Sequence, residues 1–65
     1  MQIKDYTVPE LEHFRAACNF TSLEREFFDL RAAGVTIESC GEVMGYSIGG
    51  IRHISGNVKR KMNRV

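Results

Sequence analysis

With 65 residues, a formal net charge of +1 and 43% hydrophobic residues, the chain has the composition of one small folded domain, 1–65, rather than of a disordered tail. Such a domain buries only about 60% of its unfolded surface, which predicts marginal stability. No apolar run approaches the roughly 20 residues that cross a bilayer, and the start of the chain is too polar for a signal peptide, so we expect a cytoplasmic protein without membrane contacts.

The first predicted helix covers about 8–18. Thr7 and Glu10 have the spacing of a capping box, and Pro9 stands in the first turn, where its missing N–H has no partner to lose. Apolar residues then recur at helical spacing, which predicts one face directed toward a core. These residues are Leu11, Phe14 and Cys18. We therefore predict that this helix is a packing element.

The second predicted helix covers about 22–33. Thr21 and Glu24 repeat the capping-box spacing, and Gly34 supplies the left-handed residue that commonly ends a helix. The apolar positions predict a stripe of side chains directed toward the core. The stripe is widened on one side, which predicts contact with a second neighbouring helix. The stripe consists of Leu23, Phe27 and Leu30, and Phe28 widens it.

Two further helices are predicted in close succession. Thr36 can cap a helix over about 37–44, which Gly45 ends. Ser47 can then cap a longer helix over about 48–63. A continuous apolar stripe runs along this last helix and predicts its buried face. The stripe consists of Ile51, Ile54, Val58 and Met62.

The charges are divided unevenly along the chain. Residues 1–45 carry four basic and eight acidic side chains, whereas 46–65 carry five basic and no acidic ones. A basic end on an otherwise acidic chain is typical of an element that faces nucleic acid, and its common alternative is a solvated helix surface.

Residues 37–56 have the order of a helix-turn-helix, in which a short helix, a tight turn with glycine and a longer helix follow one another. Gly41 is small where the two helices must approach closely. Gly45 comes four residues later, where the turn requires a positive φ that costs a residue with a Cβ about 1–2 kcal/mol. The apolar positions between the two helices are Cys40, Met44, Ile51 and Ile54. We therefore predict an all-α fold, a small four-helix domain containing a helix-turn-helix.

Five short motifs lie along 20–62: Leu23-Glu24-Arg25-Glu26 at the start of the second helix, Asp29-Leu30-Arg31 near its end, Gly45-Tyr46-Ser47 at the turn, Ile51-Arg52-His53-Ile54, and Arg60-Lys61-Met62. With these motifs the stretch resembles region four of bacterial sigma factors and the related LuxR-type DNA-binding domains. Both families place the helix after the turn in the major groove. The resemblance implies that 48–63 is a recognition helix. It does not imply sigma activity, which needs a further part for the other promoter element.

The resemblance also implies which residues meet DNA. The residues at positions that face DNA are Ser47, Ile48, Gly49, Arg52 and His53, and those near the DNA backbone are Arg60 and Lys61. Arg52 is the predicted base contact, because a guanidinium can bond guanine through O6 and N7, worth about 1–3 kcal/mol of discrimination. His53 can contact a phosphate or a base.

The remaining cationic side chains predict contacts with phosphates, which add affinity without sequence information. These side chains are Lys59, Arg60, Lys61 and Arg64. For them, and for Arg52 and His53, the alternative is a solvated helix surface without a partner.

The segment Ile48-Gly49-Gly50 departs from the family pattern, which usually has polar or charged residues after the turn serine. These three residues offer no side-chain hydrogen bonds to base edges, and each glycine in a helix costs about 1 kcal/mol relative to alanine. One interpretation is that the helix backbone approaches phosphate closely while Ile48 contacts a thymine methyl group. The other interpretation is a helix that frays, or one that meets a protein.

Two functions therefore stay open. The first is a transcriptional regulator that binds double-stranded DNA, alone or as a homodimer, since one small module makes few contacts. The second is a protein-interaction module on the same scaffold, such as a small phage or mobile-element protein that binds RNA polymerase or another regulator. The smooth apolar segment 48–50 suits a partner helix, and the acidic first two helices would repel DNA.

The sequence predicts neither an enzyme nor a cofactor. The histidines and cysteines have no zinc-finger spacing, and no glycine-rich phosphate loop follows a strand. We therefore expect no metal site. Cys18 and Cys40 are expected to be buried thiols.

Overall fold

The computed structural model describes residues 3–65, with the side chain of Lys4 excepted, and these residues form four α-helices and no strand. The helices are α1 (Val8–Ala17), α2 (Ser22–Ala32), α3 (Ile37–Met44) and α4 (Ile48–Met62), and a short 3-10 helix (Ile3–Asp5) precedes them. The predicted all-α four-helix fold is confirmed. Three of the helices end one residue before the predicted boundary, because the residue predicted last is the C-cap.

Each α-helix begins where a side-chain oxygen accepts a hydrogen bond from an otherwise unpaired backbone N–H. Thr7 and Thr21 form complete capping boxes with Glu10 and Glu24, and the Thr36 hydroxyl accepts from the N–H of Ser39 at 3.2 Å. The first N–H groups of a helix have no carbonyl acceptor earlier in the same helix, and such caps provide the missing acceptor. All four predicted helix starts are therefore confirmed.

The core lies where α2, α3 and α4 pack together. The five side chains with the least solvent exposure come from these three helices: Phe27, Phe28, Cys40, Ile51 and Val58. The predicted stripe of α4 is buried along its whole length, because Ile54 and Met62 are buried as well. Phe20 also packs into this core, with its ring centroid 5.2 Å from that of Phe28.

The predicted inner stripe of α2 is wrong at Leu23, which is 44% exposed. Phe27 and Phe28 are both fully buried, so the centre of the buried face lies between them. At about 100° per residue, this centre also takes in Glu24 and Arg31, which are buried, and leaves Leu23 at the edge. Because both phenylalanines are buried, α2 is rotated about its axis relative to the orientation that the spacing of its apolar residues predicts.

Helix α1 is peripheral, since none of its own residues is buried. Leu11 and Phe14 are partly buried against the core, as predicted for its inner face, and the Phe14 ring meets Tyr6 edge-on at 5.0 Å. Arg15 pairs with Asp29 of α2 at 2.9 Å. The predicted packing role is thus confirmed, but the contacts lie at the edge of the core.

Cys18 and Cys40 are free and buried, as predicted. Burial raises the pKa of the Cys18 thiol, against an opposing effect of the Lys61 charge. Burial likewise raises the pKa of Cys40, against the charge of Arg31. Both thiols are therefore neutral and behave as small core residues.

None of the helices within residues 3–65 combines the length and the apolar character that crossing a bilayer requires.

Candidate nucleic-acid interface

Three residues, 45–47, separate α3 from α4. Gly45 has φ 77° and ψ 30°, a left-handed conformation that favours glycine because a Cβ would meet the backbone. The next N–H, of Tyr46, donates to the Gly41 carbonyl at 2.8 Å. Ser47 then caps α4 by accepting from the N–H of Gly50 at 3.3 Å. The predicted turn is confirmed, and it makes α4 a separate helix seated on α3.

The close approach predicted at Gly41 is also confirmed. A Cβ at this position would lie 3.0 Å from the carbonyl oxygen of Tyr46 and 3.6 Å from Cγ2 of Ile51. The first distance is shorter than nine in ten real Cβ contacts, and the atom that would have to give way belongs to the backbone of the turn. Gly41 therefore sets how closely the turn and α4 lie against α3.

The buried stripe of α4 fixes which side chains point outward. Ile51 and Val58 are fully buried, and at about 100° per residue the opposite side of the helix consists of Gly49, His53, Gly56 and Arg60. Arg52 and Lys59 follow one edge of this outer side, because they are seven residues, or two turns, apart. We call these six residues the outer face of α4; all of them are exposed.

The outer face of α4 has a positive charge without acidic neighbours on its own helix. Arg52, Lys59 and Arg60 are exposed, and α4 contains no aspartate or glutamate. Arg60 donates to the Asn57 amide oxygen at 3.0 Å, a contact with a neutral group that leaves its charge uncompensated. Arg52 and Lys59 form no ion pair with residues 3–65. The three cations are therefore available to an anionic partner.

The predicted DNA-facing residues before Arg52 are also exposed. Ile48 is 47% exposed, and Ser47 and Gly49 are exposed at the start of the helix. His53 is exposed on the outer face, one turn after Gly49, and Arg64 is exposed beyond the helix end. The predicted DNA-facing residues and phosphate contacts are therefore all exposed, with one exception.

The exception is Lys61, whose ammonium group is directed toward α2. Its Nζ donates to Oε1 of Glu24 at 2.5 Å and to the backbone carbonyl of Asn19 at 2.8 Å. Lys61 lies beside Ile54 on the helix circumference, at the margin of the buried stripe rather than opposite to it. The expected grouping of Lys61 with Arg60 among outward cations is therefore not found.

Glu24 is the residue near this site that sequence reasoning missed. Its carboxylate is buried, accepts from the Thr21 N–H at 3.0 Å as part of the capping box, and also accepts from Lys61. Burial alone would raise the pKa of this carboxyl group, but the bonds from Lys61 and Thr21 outweigh burial and hold the pKa below its ordinary value. The place of Lys61 beside the apolar stripe puts its side chain near the core, but nothing in the local spacing identifies Glu24 as its partner.

Two glycines of the outer face have no explanation in the packing of residues 3–65. Gly49 and Gly56 have ordinary helical φ, and a Cβ at either position would meet nothing within 4 Å. By contrast, a Cβ at Gly50 would lie 3.4 Å from the Tyr46 ring. The fold would therefore accept alanine at Gly49 and Gly56 and would gain helix propensity from it.

Exposed apolar side chains flank the turn. Val43 near the end of α3 is 62% exposed, Tyr46 in the turn is 37% exposed, and Ile48 opens α4. Single exposed apolar residues are common on protein surfaces. Three within six positions at the same turn provide apolar contact area next to the charged outer face.

Within residues 3–65, no three side chains of the metal-binding types lie together where they could hold an ion. Comparison of the chain with models of protein families, with curated proteins and with solved structures gives no match.

Proposed function

We propose that the protein is a DNA-binding transcriptional regulator whose helix α4 lies in the major groove of duplex DNA. The observation that carries this proposal is the outer face of α4. It follows a left-handed glycine turn, is exposed, and carries Arg52, Lys59 and Arg60 without an acidic residue on the same helix. A helix of this width fits the major groove, and uncompensated cations attract phosphates.

The residues of the outer face divide into two roles. Arg52 is the base-reading residue, since it lies in the second turn of α4 and its guanidinium can bond both acceptors of a guanine. His53 lies beside it and contacts a base or a phosphate. Lys59 and Arg60, two turns further along, contact phosphates together with Arg64, and so orient the helix without reading sequence.

The two unexplained glycines support a close seating of α4 on its partner. Gly49 and Gly56 lie on the outermost strip of the helix, and no contact in the described part of the chain requires them. Their missing side chains let the DNA approach the helix backbone, while Ile48 at the edge meets a thymine methyl group. This arrangement gives few base contacts and therefore modest sequence discrimination by a single copy.

A single copy also offers a small contact area, so we propose that the protein binds as a homodimer or beside RNA polymerase or another regulator. A regulator of this kind acts in the cytoplasm. Neither assembly depends on a cofactor or a metal ion.

The test is a titration of the full chain into duplex DNA at several salt concentrations. We expect the affinity to fall steeply with salt, and Arg52→Ala to weaken binding by about 1–3 kcal/mol on a sequence that contains its guanine. The matched control is Arg25→Ala, which removes the same charge from an exposed position on α2 and should leave binding unchanged. Binding that is insensitive to salt and to Arg52→Ala would refute the proposal.

The second candidate function is a protein-interaction module, which the exposed Val43, Tyr46 and Ile48 favour. A protein partner would cover these apolar side chains, so Ile48→Ser should abolish its binding while salt has little effect. Recovery of nucleic acid alone in a pull-down from lysate would contradict this alternative. Retention of DNA binding in Ile48→Ser would leave DNA as the partner of the outer face.

A further inference from the structure

The ion pair of Glu24 and Lys61 joins three parts of the chain at one point. Lys61 lies in the last turn of α4, Glu24 lies in the first turn of α2, and the Asn19 carbonyl belongs to the segment between α1 and α2. The Glu24 side chain is only 9% exposed and that of Lys61 30% exposed. The contact is thus shielded from water, unlike the more exposed pair of Arg15 and Asp29.

Helix α4 has a sequence that forms a weak helix, so its position depends on contacts with the rest of the fold. Gly49, Gly50 and Gly56 each cost about 1 kcal/mol relative to alanine. One end of the helix is fixed by the Ser47 cap and the turn. At the other end Met62 packs into the core, the residues Asn63 to Val65 are exposed, and Lys61 adds a polar attachment to the last turn.

We propose that Lys61 is a positioning residue, which anchors the last turn of α4 to the start of α2 through Glu24 and Asn19 and thereby holds the outer face of α4 outward. Its ammonium group is committed to two internal acceptors and does not contact phosphate. The DNA part of this inference rests on the proposed function, whereas the anchoring part does not. Lys61 and Arg60 are thus adjacent in sequence and opposite in role.

Anchoring is tested by a double-mutant cycle on the full chain, measured by urea unfolding. Glu24→Gln keeps an amide oxygen for the Thr21 cap, and Lys61→Met keeps an unbranched apolar side chain of nearly the same length without the charge. We expect each single variant to lower the folding equilibrium constant about tenfold to a hundredfold, since bonds to charged groups contribute at this scale. The double variant should lose less than the product of the two effects.

The matched control cycle uses Glu26→Gln and Lys59→Met, which make the same chemical changes at exposed positions of α2 and α4 that form no pair. Its coupling should be zero. Equal coupling in the two cycles, or none in either, overturns the anchor. Where Lys61→Met does not fold, the wild-type protein supplies the test by NMR. A slowly exchanging Lys61 ammonium signal supports the anchor, and fast exchange like that of Lys59 contradicts it.

The DNA part is tested by the salt dependence of binding. Lys59→Met should reduce the slope of log affinity against log salt by about 0.9, the value for one phosphate contact. Lys61→Met should leave the slope unchanged while it lowers affinity at every salt concentration, and Lys61→Arg, which keeps the charge and N–H donors for both acceptors, should restore that affinity. A slope reduced equally by both Met variants makes Lys61 a phosphate contact. If wild type binds no DNA, the proposed function fails and the unfolding cycle still decides the anchor.

Discussion

Helix α1 begins with a capping box, has alanines in its last turn and contains no glycine, whereas α4 has three glycines among its 15 residues. Local propensity therefore favours α1. Burial favours α4 instead, because α1 buries none of its residues and α4 buries five. Helix α1 thus has the stronger local propensity, whereas α4 depends more on the helices on which it packs.

This difference bears on function. Because α4 is stabilised by the side chains that pack against the core, the residues on its opposite side can serve binding rather than folding. The inner side of α4 supplies its stability through Ile51 and Val58, which are fully buried. The outer face contributes little to the fold, and with glycines at 49 and 56 it even weakens the helix. Residues that reduce stability without an internal reason are expected where a partner is bound.

The largest expected effect comes from emptying the core under α4. Ile51→Ala should lower the free energy of unfolding by about 2–5 kcal/mol, because it removes a fully buried side chain and leaves a cavity. Leu11→Ala in α1 removes a side chain that is only partly buried and should cost clearly less. Urea unfolding of both variants compares the two helices, and equal losses would contradict the contrast between them.

Acid should loosen the attachment of α4. The Glu24 carboxylate has a pKa below its ordinary value because the bonds from Lys61 and Thr21 outweigh burial. Its contribution to stability is therefore complete above the ordinary carboxyl pKa and is lost as the pH falls through the lowered value. Stability measured from neutral to acid pH should show this loss in wild type, and a smaller loss in Glu24→Gln. Identical pH profiles would argue against the pair.

The glycines of the outer face should separate stability from binding. Gly49→Ala and Gly56→Ala should each raise the free energy of unfolding by up to about 1 kcal/mol, since both positions are helical and a Cβ meets nothing. Under the proposed function the same substitutions should weaken DNA binding by holding the helix away from its partner. Thermal unfolding and a DNA titration measure the two effects, and variants that gain stability without losing affinity would remove the argument from close seating.

The smallest effect is expected at the ion pair that holds α1. Arg15 and Asp29 are 2.9 Å apart, with side chains 38% and 50% exposed, and solvent-exposed pairs contribute about 0.2–1 kcal/mol. Arg15→Met should therefore cost less than 1 kcal/mol by this estimate, and the loss should shrink in high salt. If Arg15→Met lowers the free energy of unfolding as much as Lys61→Met does, the exposed and the shielded ion pair contribute equally to stability and the contrast between them is wrong.

Much of the candidate site could be predicted from the sequence. The turn follows from the need for glycine at a positive φ, which Gly45 meets, and the outward direction of Arg52 follows from the periodic stripe of Ile51, Ile54 and Val58. Both signals are local, since they depend on residues within a few turns of the same segment. The function of the outer face remains a proposal.

The sequence by itself determined where the four helices begin, where the chain turns and which side of α4 is buried, because caps, glycine and periodicity act over a few residues. Only the tertiary structure decided that Leu23 is exposed, that the Glu24 carboxylate is buried, and that Lys61 turns inward. These outcomes depend on how α2 rotates against α4. A contact between residues 37 positions apart leaves no trace in the spacing of either helix.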